Sequence, residues 1–159
     1  LFLWDLALKI NLTGMFLVTR EVGKEMQKNP KGGSIVNISS TYGVVSPDHR
    51  IYQTTQNIDQ EQSLNTPIGY AVCKSAVLNF TRYLASYWAN FKIRVNTLTP
   101  GGVYENQDPQ FVKNYCNRVP LGRMAQKSEY QGAIIFLLSD ASSYMTGSNL
   151  VIDGGWTCW

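Results

Sequence analysis

Residues 70–88 read YAVCKSAVLNFTRYLASYW, and after Ala89 and Asn90 the chain runs on as FKIRVNTLTP (91–100). In the first stretch Cys73, Ala76, Val77, Phe80, Leu84 and Tyr87 recur at i, i+3, i+4, i+7 spacing, which predicts an amphipathic helix starting near Tyr70. The second is short, β-branched and ended by Pro100, which predicts a strand. Tyr70 and Lys74 stand at i, i+4 and so share one helix face. One reading is structural: a half-buried tyrosine beside a solvated lysine. The other is chemical. An ordinary phenol, with a pKa of about 10, is a poor base at neutral pH. Lowering it by about 3 units takes roughly 4 kcal/mol of preferential stabilisation of the phenolate. A nearby ammonium is the natural source, and a phenol so tuned moves a proton to or from a carbinol oxygen.

Working outward, Leu8, Leu12, Met15, Thr19, Val22 and Met26 keep helical spacing, so a helix is expected from about residue 4 to 28. NPKGG (29–33) stops it, and SIVNIS (34–39) has the composition of a strand. Residues 43–69 are polar and poor in aliphatics, a long connection of the kind that tends to be functional or disordered. Downstream, a short helix is expected over 109–116. Ser128 and Gln131 form an S-x-x-Q capping box ahead of GAIIFLLS (132–139), and NLVID (149–153) is a last strand. The order α-β-α-β-α-β implies parallel strands joined by right-handed crossovers, hence one α/β layered domain over 1–159. The strand at 34–39 is apolar enough to be central rather than marginal, so something is expected to lie beside it that the sequence does not contain.

Composition narrows the function classes. The 159 residues suffice for one core. A net charge of +3, from 14 basic and 11 acidic side chains with no basic run, argues against nucleic acid and anionic membrane as partners. Three dispersed cysteines, Cys73, Cys116 and Cys158, have no metal-ligand spacing, so no metal is expected and a reduced, cytoplasmic setting is the default. No apolar stretch is read as a membrane span. The opening, LFLWDLALKINLTG, lacks an initiator Met and a basic leader, and is read as a chain that begins partway through a domain.

Further candidates surround the Tyr70–Lys74 pair. Ser40 ends a strand, where α/β sheets place ligands, and its hydroxyl could donate to a developing oxyanion; alternatively Ser39 and Ser40 only start a turn. TPGGV (99–103) sets a rigid turn and two glycines at the next strand end, either a platform for a flat ligand or an ordinary turn. Asn11 lies inside the first helix, where Asn is a poor helix former without a compensating role. His49 is the sole histidine. A triad of Ser40, His49 and Asp48 can be written, but no G-x-S-x-G elbow supports it.

Taken together, INLTGMF (10–16), GGSIVNISSTYG (32–43), YAVCK, IRVNTLTPGGV (93–103) and the run from Val119 to Trp156 resemble the short-chain dehydrogenases/reductases. The resemblance covers essentially the whole chain. It implies a Rossmann-like parallel sheet with helices on both faces, present as the C-terminal, three-strand catalytic portion without the dinucleotide-binding βαβ units. It implies hydride transfer between NAD or NADP and an alcohol or ketone. On the same basis Tyr70 is the acid/base, and Lys74 is its partner and a ribose ligand. Ser40 orients the substrate in preference to Ser39, and Asn11 bends its helix and holds a proton relay. Pro100, Gly101 and Val103 pack on the nicotinamide. Two departures stand out. No T-G-x-x-x-G-x-G turn occurs, so these 159 residues alone are expected to bind the cofactor weakly or not at all; and Glu105 lies where the family often has a cofactor-touching Thr.

YGVVSPDHRIY (42–52) with TPGGVYENQDPQFVKNY (99–115) resembles a bacterial subgroup linked to nonulosonic acid and flagellin sugars. That implies an amino sugar or sugar phosphate as substrate, with Ser40, His49 and Arg50 bordering it and Arg50 binding an anion. The rival reading is a non-catalytic binding or assembly module derived from the same family. Phe16, Leu17, Leu78 and Tyr83, expected on outer helix faces, and the family's helix pairing imply a homodimer or homotetramer. GGWTCW (154–159) is read either as a subunit-border tail or as a cap on its own core.

Overall fold

The computed structural model describes residues 1–53 and 65–159. The first helix runs from Phe2 to Met26 in three parts: α1 (Phe2–Leu8), a π turn (Lys9–Thr13) and α2 (Gly14–Met26). Then follow β1 (Gly33–Ile38), α3 (Ile68–Tyr87), β2 (Ile93–Pro100), α4 (Pro109–Arg118), α5 (Gln131–Leu138) and β3 (Asn149–Ile152). The three strands are parallel in the order β1-β2-β3, with Ile35 opposite Val95 and Leu98 opposite Leu150. The α/β alternation read from the sequence is therefore the architecture. β2 holds the middle of the described sheet, and β1, the strand read as lacking a neighbour within the sequence, lies at its edge with Ile38 44% exposed.

Alternation along β2 assigns its two faces. Ile93 and Val95 join Leu84, Ala85 and Trp88 in one core, against the α3 side. Leu98 joins Tyr130 and Leu137 in the other, beneath α5. Helices thus cover both faces, as a parallel sheet requires. The polar residues of IRVNTLTP are buried but bonded. Thr97 Oγ1 and Asn37 Nδ2 both meet Thr81 Oγ1, at 2.8 and 2.9 Å. Asn96 Nδ2 donates to the Met145 carbonyl at 2.7 Å, and Thr99 Oγ1 donates to Asn149 Oδ1 at 2.6 Å.

Several local expectations shift. On the first helix Gly23 is buried in place of Val22. A Cβ at Gly23 would come within 2.2 Å of the Trp88 indole, so only glycine admits that ring. On α3 the buried aromatic is Trp88 rather than Tyr87, which lies exposed and stacked on Tyr83. Leu78 is half-buried rather than exposed. The helix-start device falls earlier than Ser128–Gln131: the Gln126 N–H donates to Glu129 Oε2 at 2.8 Å, ahead of the 3₁₀ turn Lys127–Tyr130. Trp156 is buried, stacked 4.5 Å from Tyr115, whereas Trp159 is exposed. Finally, by length and composition Phe2–Met26 does reach a membrane span, against the sequence reading. In the fold its two ends lie on protein: Ala7 and Trp4 against Gly69 at the start of α3, and Gly23 against Trp88.

Candidate active site

The carboxyl ends of β1 and β2 open into a cavity of about 810 Å³. Ser40, Tyr70, Pro100, Gly101 and Val103 all line it. Its position follows from the chain's local chemistry. Pro67 starts α3 as its N-cap, so Tyr70 sits in the first turn, at the level of the strand ends. Lys74, one turn on, points the same way: its Nζ lies 5.6 Å from the Tyr70 ring centroid and donates to the Ile38 carbonyl at 3.1 Å. Burial pulls the Lys74 ammonium below its ordinary range, and the neighbouring Cys73 opposes that pull. The amine lies in a second groove, between α2 and β1, which Asn11 also lines.

Asn11 falls within the π turn, where the helix takes in an extra residue; such bulges recur at functional sites. Its Nδ2 donates to the Ala7 carbonyl at 3.2 Å, which leaves Oδ1 as an acceptor.

The two serines differ in employment. Ser39 Oγ donates to the Lys74 carbonyl at 2.7 Å and so ties the β1 end to α3. Ser40 Oγ accepts from the Tyr42 N–H at 3.2 Å, which leaves its own proton for another acceptor. Gly43 makes this join possible: a Cβ there would stand 2.5 Å from the Lys74 carbonyl oxygen and 2.6 Å from Ser39 Oγ. On the β2 side, the Val103 carbonyl accepts from Gln107 Nε2 at 2.8 Å, and its N–H has no protein acceptor among the described residues. Glu105 turns away from the cavity and pairs with Lys127.

The structure brings neither His49 nor Arg50 to this cavity. Both lie exposed on the 3₁₀ turn His49–Tyr52. Arg50 forms a bidentate pair with Asp48 at 2.8 and 2.6 Å, and it borders a separate groove with Asn114 and Arg118. The Ser40–His49–Asp48 triad is not assembled, because Asp48 is committed to Arg50 and the ring of His49 lies beside Tyr52. Conversely, the cavity has walls that sequence reasoning missed: Tyr42, Tyr52, Phe111, Tyr115 and Met124. Tyr115 accepts from the Gly102 N–H at 2.6 Å, and burial pushes its phenol up to about 12; burial raises Tyr42 further still. Both are therefore protonated donors across the ordinary pH range rather than bases. Their spacing along the chain carried no signal, since residues 42, 111 and 115 meet only through the packing of α4 on Ile51 and Trp156.

The chain resembles known proteins along nearly its whole length. Residues 2–57 match the family model described as short chain dehydrogenase, and residues 54–157 match one described as enoyl-(acyl carrier protein) reductase. D-arabinitol 2-dehydrogenase of Candida tropicalis is 34% identical over 96% of the chain and 51% of its own length. Post-translational flagellin modification protein A of Campylobacter coli is 33% identical over 94% of the chain and 56% of its own length. A short chain dehydrogenase from Leptospira borgpetersenii, solved with bound NAD+, superposes with a TM-score of 0.86 at 40% identity, covering 97% of this chain and 56% of that one. A gluconate 5-dehydrogenase from Burkholderia cenocepacia, solved with NADP and tartrate, gives a TM-score of 0.82 at 31% identity, over 98% of this chain and 56% of that one. The chain thus spans about half the length of the curated relatives it matches. With both family models and these relatives in agreement over nearly every residue, the chain belongs to the short-chain dehydrogenase/reductase family.

Proposed function

We propose that this chain carries the catalytic site of an NAD- or NADP-dependent oxidoreductase acting on an alcohol or ketone of the sugar or polyol type. One observation carries the reading: a single turn of α3 sets Tyr70 in the cavity with Ser40 and holds the Lys74 amine 5.6 Å from the Tyr70 ring. The relatives named as polyol and sugar dehydrogenases support the substrate class, and the neighbours solved with NAD+ and NADP support the cofactor. The flagellin modification relative supports the narrower flagellin-sugar reading.

The residues present fit the nicotinamide end of such a cofactor. The Val103 N–H is an unfilled donor at the β2 end, Pro100 and Gly101 form a flat wall beside it, and Lys74 keeps further N–H groups for a ribose hydroxyl. When bound, the nicotinamide accepts or supplies the hydride. The protein's own steps are proton steps. Ser40 Oγ donates to the substrate oxygen and orients it. Tyr70 takes the carbinol proton during oxidation and returns it during reduction. Lys74, anchored on Ile38, supplies the positive field beside the phenol. Asn11 lines the same groove as Lys74, and its Oδ1, left as an acceptor, passes the proton outward.

The test is Tyr70→Phe against Lys74→Met in the full-length protein. Both should abolish nicotinamide-coupled turnover while leaving the circular dichroism spectrum unchanged. Turnover that survives both changes would favour the non-catalytic binding or assembly module.

Phe16 and Leu17 on α2, with the stacked Tyr83 and Tyr87 on α3, leave an apolar and aromatic outer surface. It supports a homodimer or homotetramer. The three free cysteines suit a reducing, cytoplasmic setting.

A further inference from the structure

Charge in the substrate cavity is distributed one-sidedly. Among the described residues that line it, Asp108 is the only one that is formally charged at neutral pH. The cations that sequence or proximity would offer to an anionic substrate are engaged elsewhere. Arg50 and Arg118 both face Asp48 and border the separate groove. Lys127 pairs with Glu105, and Lys74 donates to the Ile38 carbonyl from the α2–β1 groove. Residues 54–64, TTQNIDQEQSL, contain Asp59 and Glu61 but no Lys or Arg, so they cannot supply a cation.

A second anion receptor is also closed. The N-terminus of α4 borders the cavity, and such termini bind phosphates through free N–H groups. Here Asp108 Oδ1 accepts from the Gln110 and Phe111 N–H groups at 2.9 and 3.0 Å. The carboxylate fills the place an anion would take. Its Oδ2 has no partner among the described residues and is left to receive a donor. The other polar groups on the wall are hydroxyls and amides, among them Ser40, Tyr52, Thr66, Asn65 and Gln107, set among aromatic rings.

We infer that the substrate carries no phosphate or carboxylate, and that Asp108 is a specificity residue that turns anions away and accepts a hydrogen bond from a hydroxyl or an ammonium of a neutral or amino-bearing polyol. This rests on the oxidoreductase reading and narrows it. It removes the sugar-phosphate arm of the expectation attached to Arg50. The partial positive charge at the α4 terminus does not rescue an anion, because the capping carboxylate carries a full opposite charge.

The experiment is calorimetry on the full-length protein with NAD or NADP at saturation, using glucosamine, N-acetylglucosamine and glucose 6-phosphate as probes. Turnover is read in parallel. The phosphate should bind at least about tenfold more weakly than either other sugar, as expected for like charges brought together without a counter-ion. Asp108→Asn keeps the helix cap, since Asn caps as well as Asp. It should weaken glucosamine by about fivefold, the upper end for an exposed ion pair, weaken N-acetylglucosamine by less, and tighten glucose 6-phosphate. Tightest binding by the phosphate, or three affinities unmoved by Asp108→Asn, would overturn the proposal. The predicted order of binding with no turnover of any sugar would instead strike the oxidoreductase reading and leave the charge preference of the cavity standing.

Discussion

Two adjacent hydroxyls show how finely single residues divide labour here. Both are buried and both line the cavity, but Ser39 Oγ spends its proton on the Lys74 carbonyl whereas Ser40 Oγ only accepts, from the Tyr42 N–H. Ser39→Ala should therefore lower stability by about 1–3 kcal/mol, because it orphans a buried carbonyl. Ser40→Ala loses only the long bond from the Tyr42 N–H, so it should cost less stability than Ser39→Ala and cut kcat far more. Denaturant titration and steady-state kinetics on the two variants should give this crossed pattern. The sequence displayed both serines, but nothing in NISSTYG separates them; only the resemblance's spacing to Gly43 favoured Ser40. Asp48 is a similar case. The Arg50 guanidinium holds its carboxyl down to about 2, below the usual carboxylate range. A depressed folded pKa contributes stability that is complete above the ordinary value of about 4 and is lost as pH falls through about 2. Because Arg50 is 82% exposed, solvent screening limits this to about 1 kcal/mol. Acid unfolding of Asp48→Asn should lack that loss between about pH 4 and pH 2; an unchanged acid limb would show that the pair contributes nothing.

At the scale of elements, helical and strand periodicity located every main element, with ends displaced by a residue or two. The errors have one physical source: partners chosen by tertiary packing. From Thr19 a 3.6-residue repeat admits either Val22 at i+3 or Gly23 at i+4 as the next buried position, and the Trp88 ring selects Gly23. Gly23→Ala should thus destabilise by about 1–3 kcal/mol from overpacking, more than the roughly 1 kcal/mol that Ala gains in helix propensity. A rise in the thermal midpoint would contradict that contact. Gly43→Ala tests a join nearer the chemistry. Its Cβ would meet backbone of α3 rather than a movable side chain, so α3 must shift at Lys74. Activity should fall further than stability. The π turn at Lys9–Thr13 also escaped periodicity, since its one signal was an Asn where helices avoid it.

For the molecule as a whole, alternating helices and strands were enough to state a parallel α/β layer. The aromatic walls, and Asp108 as the one charge among the described cavity residues, were not legible. They come from loops and α4, and meet only after the sheet, Ile51 and Trp156 have packed. The four candidate catalytic residues could be singled out because Tyr70 and Lys74 are one turn apart on α3 and the resemblance named Ser40 and Asn11. The outer aromatic surface predicts assembly: light scattering of the full-length protein should give two or four copies, and Leu17→Glu with Tyr83→Glu should give one. A monomeric parent protein would refute it. The central claim, that the phenol on the first turn of α3 carries the proton, is met most directly by the turnover number of Tyr70→Phe in the full-length protein. The account predicts a fall of at least about 100-fold with an unchanged unfolding midpoint, and a rate within about threefold of the parent would contradict it.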